Sequence, residues 1–436
     1  MYLPAIAGHV PGDMVRCLAA FLDFCYLVRR NSICAYTLEL ITDALDRFHY
    51  YRKVFIETGV RVDVISLPRQ HSLLHYIRSI ILFGSPNGLC SSITESKHIQ
   101  AVKKPWRQSS RYRALQQMLV TNMRQDKLAA ARSVFTQKGM MQGSTVAYTA
   151  MSLRGDRPPP LPTIEEEGQD DHGAVTGPRV MNSVKLAATC RKSLMSSITI
   201  YSLLTTCLLE RTYPKYLSEL AIYIDQPQLP ALVRRFLFEQ RTIVDDLDPM
   251  VIPLDDCPQF NGRIFVYHSA TARFYAPSDL CGVGGMRHEL IRSNPVWQGE
   301  YPRYDTVFIT TTNSDHNGFM GMCVGRVYLV FSFVYEQTDY HCALVHWFVP
   351  VGESVHDETG QWVVKPEFIG TGQNRHVNLA VVHVDCIARG ALLSPVFGSG
   401  YIPDDLHFCA SLDAFHTFFV NNFADHHMHE FIPNFK

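Results

Sequence analysis

Three observations make this chain an α+β protein. Apolar residues recur at three-to-four spacing through residues 1–152, the period of amphipathic helices. Residues 153–178 break that period with Pro158, Pro159 and Pro160, followed by Glu165, Glu166, Glu167, Asp170 and Asp171. Such a composition has too little apolar surface to order itself. Beyond residue 249 the texture turns to β-branched and aromatic runs separated by turns. The expected organisation is an all-helical module at 1–152, a disordered linker at 153–178, a helical segment at 179–248 and an antiparallel, barrel-like β domain at 249–436.

Each element has its own signal. Residues 14–29 carry a stripe of Val15, Leu18, Leu22, Cys25 and Tyr26, and a second helix over 37–58 presents Leu38, Ile41, Leu45, Phe48 and Phe55. Pro68 starts a third segment, expected to turn Leu73, Leu74, Ile77, Ile80 and Ile81 inward. Ser85, Pro86, Asn87 and Gly88 mark a turn. A helix over 113–135 is expected to bury Leu115, Met118, Leu119 and Met123. After the linker the helical period resumes at 186–209, 216–224 and 229–240, with Pro214 and Pro230 near helix starts. Strands are expected at 262–268, 306–311, 325–335, 340–351, 361–368 and 376–384. Residues 336–339 read as a hairpin turn, and residues 412–423 as one late helix.

Composition narrows the classes. With 436 residues, 47% hydrophobic and 19% charged, the chain has material for two or three globular domains. Its twelve cysteines include no CxxC pair, which argues against a zinc ribbon and for reduced thiols in the cytosol or nucleus. The first residues lack the basic and apolar regions of a secretion signal. No apolar run reaches the ~20 residues that span a bilayer. The nearest, 194–209, is interrupted by serines and threonines and reads as a buried helix.

Charge is concentrated at one place. Although the chain balances 40 Lys and Arg against 41 Asp and Glu, residues 89–132 set Lys97, Lys103, Lys104, Arg107, Arg111, Arg113 and Arg124 against only Glu95 and Asp126. Phosphate backbones attract such clusters, although a solvated helix face is the commoner cause of a basic run. Trp106 and Tyr112 stand among the cations, placed to stack on a base or to anchor a helix.

These residues also carry a resemblance. The runs GHVPGDMVRCLAAFLDFCYLVRR, SLPRQHSLLHY and FGSPNGLCSSITESKHIQAVKKPWRQSSRY resemble the C-terminal portion of Plavaka-type transposases, part of the CACTA-like group of cut-and-paste DNA transposons. FYAPSDLCGVGGMR, GRVYLVFSFVYE, YHCALVHWF, TGQWVVKPEF and VVHVDCIARGALLSPVFG resemble the uncharacterised domain that follows the transposase core. Together the two cover nearly everything except the proline-rich linker.

The resemblance implies an RNase H-like core in which three carboxylates hold two Mg2+ or Mn2+ ions for phosphoryl transfer. The match starts well inside the transposase region, so the first two carboxylates are expected to be missing. Glu95, in TESKHI, matches the third, with Lys97 and His98 beside it to meet phosphate. A plainer role for Glu95 is the first turn of a helix capped by Thr94 or Ser92. The implied function is DNA binding in a transposition complex, in the nucleus, with transposon ends and full-length transposase subunits as partners. Lys97, Lys103, Lys104, Arg107, Arg111 and Arg113 would grip phosphates without reading sequence. Alone, the chain is expected neither to cut DNA nor to hold a cofactor, since one carboxylate cannot hold two metals. Two other functions stay open: a protein-interaction module acting through the C-terminal β domain on chromatin or a transposase subunit, and a transposon relic with no selected role.

Other clusters carry less. His71 and His75 share a helix face, and with His98 they are the core-proximal candidates of the resemblance. Ser72 stands where an HExxH site needs Glu, so a buried, hydrogen-bonded pair is expected rather than a zinc site. Gly282, Gly284 and Gly285 with Arg287 form an anion nest or, the preferred reading, a tight turn. His383, Asp385 and Cys386 lie on a β-run without a nucleophile elbow, which excludes a hydrolase dyad. Trp347, Trp362, Phe333 and Tyr335 suit an aromatic cage or, as preferred, a barrel core. The histidine-rich tail at 425–430 reads as a solvated helix end.

Overall fold

The computed structural model describes residues 3–62, 65, 67–89, 98–137, 172–175, 182–186, 212–241, 252–281, 284–297, 299–310, 321–372, 375–398, 400, 402 and 404–432. Its contacts divide the chain into two units: Met1–Ser85 with Glu167–Arg191 and Cys207–Lys436, and Pro86–Glu166 with Lys192–Thr206. The expected single module at 1–152 is therefore split, because residues 1–85 are packed with the C-terminal part of the chain.

The cause lies in the second of the first unit's helices. After α1 (Leu3–Ile6), α2 (Gly12–Leu27) buries two faces rather than one stripe. Cys17, Ala20, Phe24 and Leu27 pack on α3 (Ala35–Tyr51) through Ile41, Ala44, Leu45 and Phe48. Val15 and Ala19 instead meet Phe423, from the far end of the chain. Small alanines on both faces allow two neighbours to approach one helix. The segment that follows α4 (Val54–Glu57) forms α5 (Pro68–His71), a 3-10 turn at Ser72–His75, and α6 (Tyr76–Phe83). Its expected inward face is only half covered. Ile80 is buried and Leu73 and Ile77 partly so, whereas Leu74 and Ile81 are exposed on the neighbouring face.

The β-rich part of this unit holds two main antiparallel sheets. A five-stranded sheet runs β1 (His172–Ala174), β5 (Met286–Trp297), β4 (Ser269–Tyr275), β2 (Asn182–Leu186), with β6 (Tyr301–Tyr304) on β5. The larger sheet is built on two long strands, β8 (Met322–Tyr335) and β9 (Thr338–Pro350). Their hairpin sits where the turn signal stands: Glu336 and Gln337 have φ of 46° and 65°, and Tyr335 pairs with Thr338. On its outer side β8 pairs with β7 (Thr306–Thr310) and then β3 (Ile264–Tyr267). On its own outer side β9 pairs with β13 (Leu379–His383) and β10 (Val363–Pro366). The path continues to β14 (Ile387–Gly390) at one end and through β16 (Phe418–Val420) to β15 (Leu393–Pro395) at the other. The sheet is curled but open. A short pair, β11 (Phe368–Ile369) with β12 (His376–Val377), completes the strands.

Three expectations need correction. The expected linker and helical segment supply strands β1 and β2, because HGA and NSVKL find backbone partners on β5 and β4. The late helix at 412–423 is only α11 (Ser411–Ala414), and Phe418, Phe419 and Val420 leave it to pair with β10 and β15. The tail is not solvated. Residues 426–431 form α12 (His426–Phe431), with Met428 and His429 buried.

Sequence and packing agree better elsewhere. Helices α9 (Leu217–Tyr223) and α10 (Leu229–Arg241) lay Leu220, Val233, Phe236 and Leu237 on Phe331, Phe333 and Leu344 of the curled sheet. Each such side chain contributes roughly 1.5–3 kcal/mol on burial. A second core joins the sheets through Ala270, Ala272, Ile291, Val307 and Val345. The expected helix at 186–209 lies outside the described residues beyond Leu186, which belongs to β2.

Besides a 3-10 turn at Pro86–Leu89, the described part of the second unit is a helix–loop–helix. A π-type turn at Ile99–Lys103 runs into α7 (Lys104–Gln108), and a loop leads to α8 (Ala114–Gln137). Pro105 has no N–H to give Ala101, four residues back, which accounts for the widened turn. The freed Ala101 carbonyl accepts from Asn122 Nδ2 of α8 at 2.8 Å.

Candidate functional site

The basic residues fall on this helix–loop–helix. Lys103, Lys104, Arg107, Arg111 and Arg113 are all exposed, and none has an ion-pair partner among the described residues. The loop between the helices is held from one side chain. Gln117 accepts from Ser110 N at 3.0 Å and donates to Ser110 Oγ at 2.8 Å and to the Tyr112 carbonyl at 2.7 Å. The turn places Arg111 and Arg113 at φ of 64° and 46°, a left-handed conformation that is uphill for a residue with a side chain. Tyr112 between them is 72% exposed, with the Arg113 guanidinium 5.7 Å from its ring centre, and Trp106 is exposed too.

The expected face of α8 is largely open. Ala114 and Met118 are buried, but Leu115, Leu119 and Met123 are exposed. Covering one side of the helix with Ala114 and Met118 leaves these three, at i, i+4 and i+8, together on another side.

Other candidates separate. Glu95 and Lys97 lie outside the described residues, whereas His98 is described and exposed. His71 and His75 are exposed rather than buried, edge to face with centroids 5.2 Å apart, since their segment sits at the surface beside α3. Among the described residues no group of three or more His, Cys, Asp or Glu side chains is placed to hold a metal ion. Gly285 is at φ 76° in a turn, and Arg287 is taken by Asp279 at 3.2 Å rather than left for an anion. Gly282 lies outside the described residues. Phe333, Trp347 and Trp362 belong to three different core clusters, with Tyr335 packed against the first, so they form no shared cage.

A second feature gave no sequence signal. Arg389, on β14, is 1% exposed, the largest of the fully buried side chains described. Its two terminal nitrogens donate to Asp425 at 3.0 and 2.7 Å, and one also reaches His427 Nδ1 at 2.8 Å. Glu289 Oε2 lies 3.7 Å from Arg389 Nε and accepts from Gly390 N at 3.0 Å. A Cβ on Gly390 would come within 2.9 Å of that carboxylate, so a larger residue there would have to displace the Glu289 side chain. The Phe274 ring covers the guanidinium at 4.7 Å.

Around this arginine the protonation states are set by burial and charge. Asp425 is also buried, which raises its pKa. Hydrogen bonds and charge from Arg389, with the Met428 N–H, more than offset that and hold the carboxyl at about 2. Burial with the Arg389 charge pushes His427 down to about 3, so it accepts as a neutral ring. For Glu289, burial outweighs Arg389 and raises its pKa.

The same residues anchor the C-terminal helix. Asp425 caps α12 through Met428 N at 2.7 Å, and Asp279 accepts from His426 N and His427 N at 3.0 Å each. From α12, His429 Nε2 lies 3.3 Å from Asp23 Oδ1, and Asp23 also pairs with Arg47 at 3.1 Å. Tyr26 donates to the Phe423 carbonyl at 2.6 Å. A cleft of about 660 Å3 opens above Arg389, walled by Trp297, Tyr301, Tyr304 and Phe408. Its arginines are matched: Arg303 with Asp305 at 2.9 Å, Arg326 bidentate to Asp413, and Arg389 with Asp425 and Glu289. Such a site holds the fold together and presents no spare charge.

Among the described residues no helix is long and apolar enough to cross a membrane. Compared with protein-family models, curated proteins and solved structures, the chain matches none.

Proposed function

We propose that this chain binds nucleic acid through the sugar–phosphate backbone, using the helix–loop–helix at 98–137. One observation carries the reading: Lys103, Lys104, Arg107, Arg111 and Arg113 are exposed on consecutive turns and a loop, with no carboxylate partner among the described residues. Unpaired cations held at a surface release counterions when phosphates replace them. Exposed Trp106 and Tyr112 offer rings on which bases of any sequence stack. Contacts of this kind fix position on a strand without reading it.

The resemblance to Plavaka-type transposases supplies the setting: a transposition complex in the nucleus, with transposon ends as the DNA. The test is fluorescence anisotropy of a labelled duplex and a labelled single strand with the full chain. Lys103→Glu, Lys104→Glu, Arg107→Glu and Arg111→Glu together are expected to lower affinity at least about a hundredfold. Affinity unchanged in that variant would remove the reading.

A second reading, association with another transposase subunit, has one observation in its favour. Leu115, Leu119 and Met123 lie exposed along one side of α8, and contiguous apolar surface of this kind marks interaction sites. Sedimentation of Leu119→Glu with the parent chain tests it, since the reading requires that the variant lose any self-association the parent shows.

A further inference from the structure

A second cavity, of about 580 Å3, lies in the helical part of the first unit, bordered by α2, α3 and by Val60, Arg61, Ile65, Arg69, Gln70 and Leu73. Its floor is apolar. The Phe21 and Phe48 rings stand 5.2 Å apart, with Cys17, Phe55 and Leu73 beside them. Its polar wall includes Arg52, Arg61, Arg69 and Gln70, and no Asp or Glu among the described residues lines it.

This differs from the cleft over Arg389, where each arginine has its acid. Arg52 is partly engaged, donating to Gln70 Oε1 at 2.8 Å and lying over the Phe48 ring at 5.9 Å. Arg61 and Arg69 have no carboxylate partner among the described residues, and Arg61 Nε is buried without a hydrogen-bond partner. An orphaned guanidinium nitrogen beside apolar surface is costly and is relieved by an acceptor. Guanidinium forks match carboxylate oxygens in geometry as well as charge. The cavity is within the range of about 300–1,000 Å3 typical of small-molecule sites.

We propose that this cavity binds an amphipathic acid, a hydrocarbon chain ending in a carboxylate. The chain would lie on Phe21, Phe48, Phe55 and Leu73, and the carboxylate would be held by Arg61 and Arg69. Charge complementarity selects this occupant, because a neutral apolar molecule would leave Arg61 Nε unsatisfied and a cation would meet three guanidiniums.

The experiment is isothermal titration of the full chain with decanoate below its micellar concentration, beside decan-1-ol and an acidic amphipathic peptide. Saturable decanoate binding, weaker or absent with decan-1-ol, is expected. Arg61→Gln with Arg69→Gln should weaken it by at least about tenfold, the loss of one charge-assisted hydrogen bond or more. Arg69→Gln alone, at an exposed position, keeps the test available if the double variant is unstable. Equal binding of the alcohol, full affinity in the variants, or binding of the peptide alone would each overturn the proposal.

Discussion

Two groups of arginines in this chain have opposite surroundings. Arg389 is 1% exposed, bonded to Asp425 and His427, beside Glu289 and under Phe274. Arg107, Arg111 and Arg113 are exposed and without acidic partners among the described residues. A guanidinium can leave water only where acids and hydrogen bonds replace the solvent, so the first group is fixed by the fold. The second remains available to an outside anion. A sequence shows charge, and packing decides which use it has.

That contrast can be broken at its buried end with the largest effect. Arg389→Ala leaves Asp425 and Glu289 inside without their cation and should destabilise the first unit by about 3–5 kcal/mol, read from chemical denaturation. Retained stability would mean that the cluster is not a keystone. Next in size is the exposed end. The fourfold charge reversal at Lys103, Lys104, Arg107 and Arg111 should remove nucleic-acid affinity yet leave unfolding within about 0.5 kcal/mol of the parent, as for surface substitutions.

Smaller is the pH dependence. His427 and Asp425 both have depressed pKa values in the fold, so the unfolded chain takes up more protons in acid. Stability from His427 is fully present above its ordinary value of 6.5 and is lost as pH falls toward about 3. That from Asp425 is lost between its ordinary 3.8 and about 2. Thermal unfolding midpoints should therefore decline as pH drops from 7 to 5, and less steeply in His427→Gln, which does not titrate. An equal slope in both proteins would count against the His427 assignment.

The smallest effect separates position from charge. Arg113 is at φ 46°, so Arg113→Gly should relieve backbone strain by up to about 1 kcal/mol. The same change removes one phosphate contact and should reduce the salt slope of DNA binding by about 0.9.

Periodicity made some elements legible. The hairpin of β8 and β9 follows from two β-branched runs around residues 336–339, and Ile41, Leu45 and Phe48 are buried as their spacing requires. Strands β4 and β5 gave little signal, because SATARFY is rich in small residues and MRHELIRSNPVW carries charges. Those charges are explained only by tertiary partners: Glu289 meets Arg389 and Arg287 meets Asp279. The tail DHHMHE looked solvated for the same reason, since nothing local announces that Arg389 and Asp23 wait for Asp425 and His429. Of the candidate site, the cation cluster was visible as composition. The strained backbone of Arg111 and Arg113 and the Gln117 clamp that holds their loop were not.

The central claim is tested most directly by measuring affinity of the full chain for a short duplex between about 50 and 200 mM salt. Five phosphate contacts predict a slope of log affinity against log salt near −4.5, at about −0.9 per contact. Affinity that does not change with salt would contradict the account.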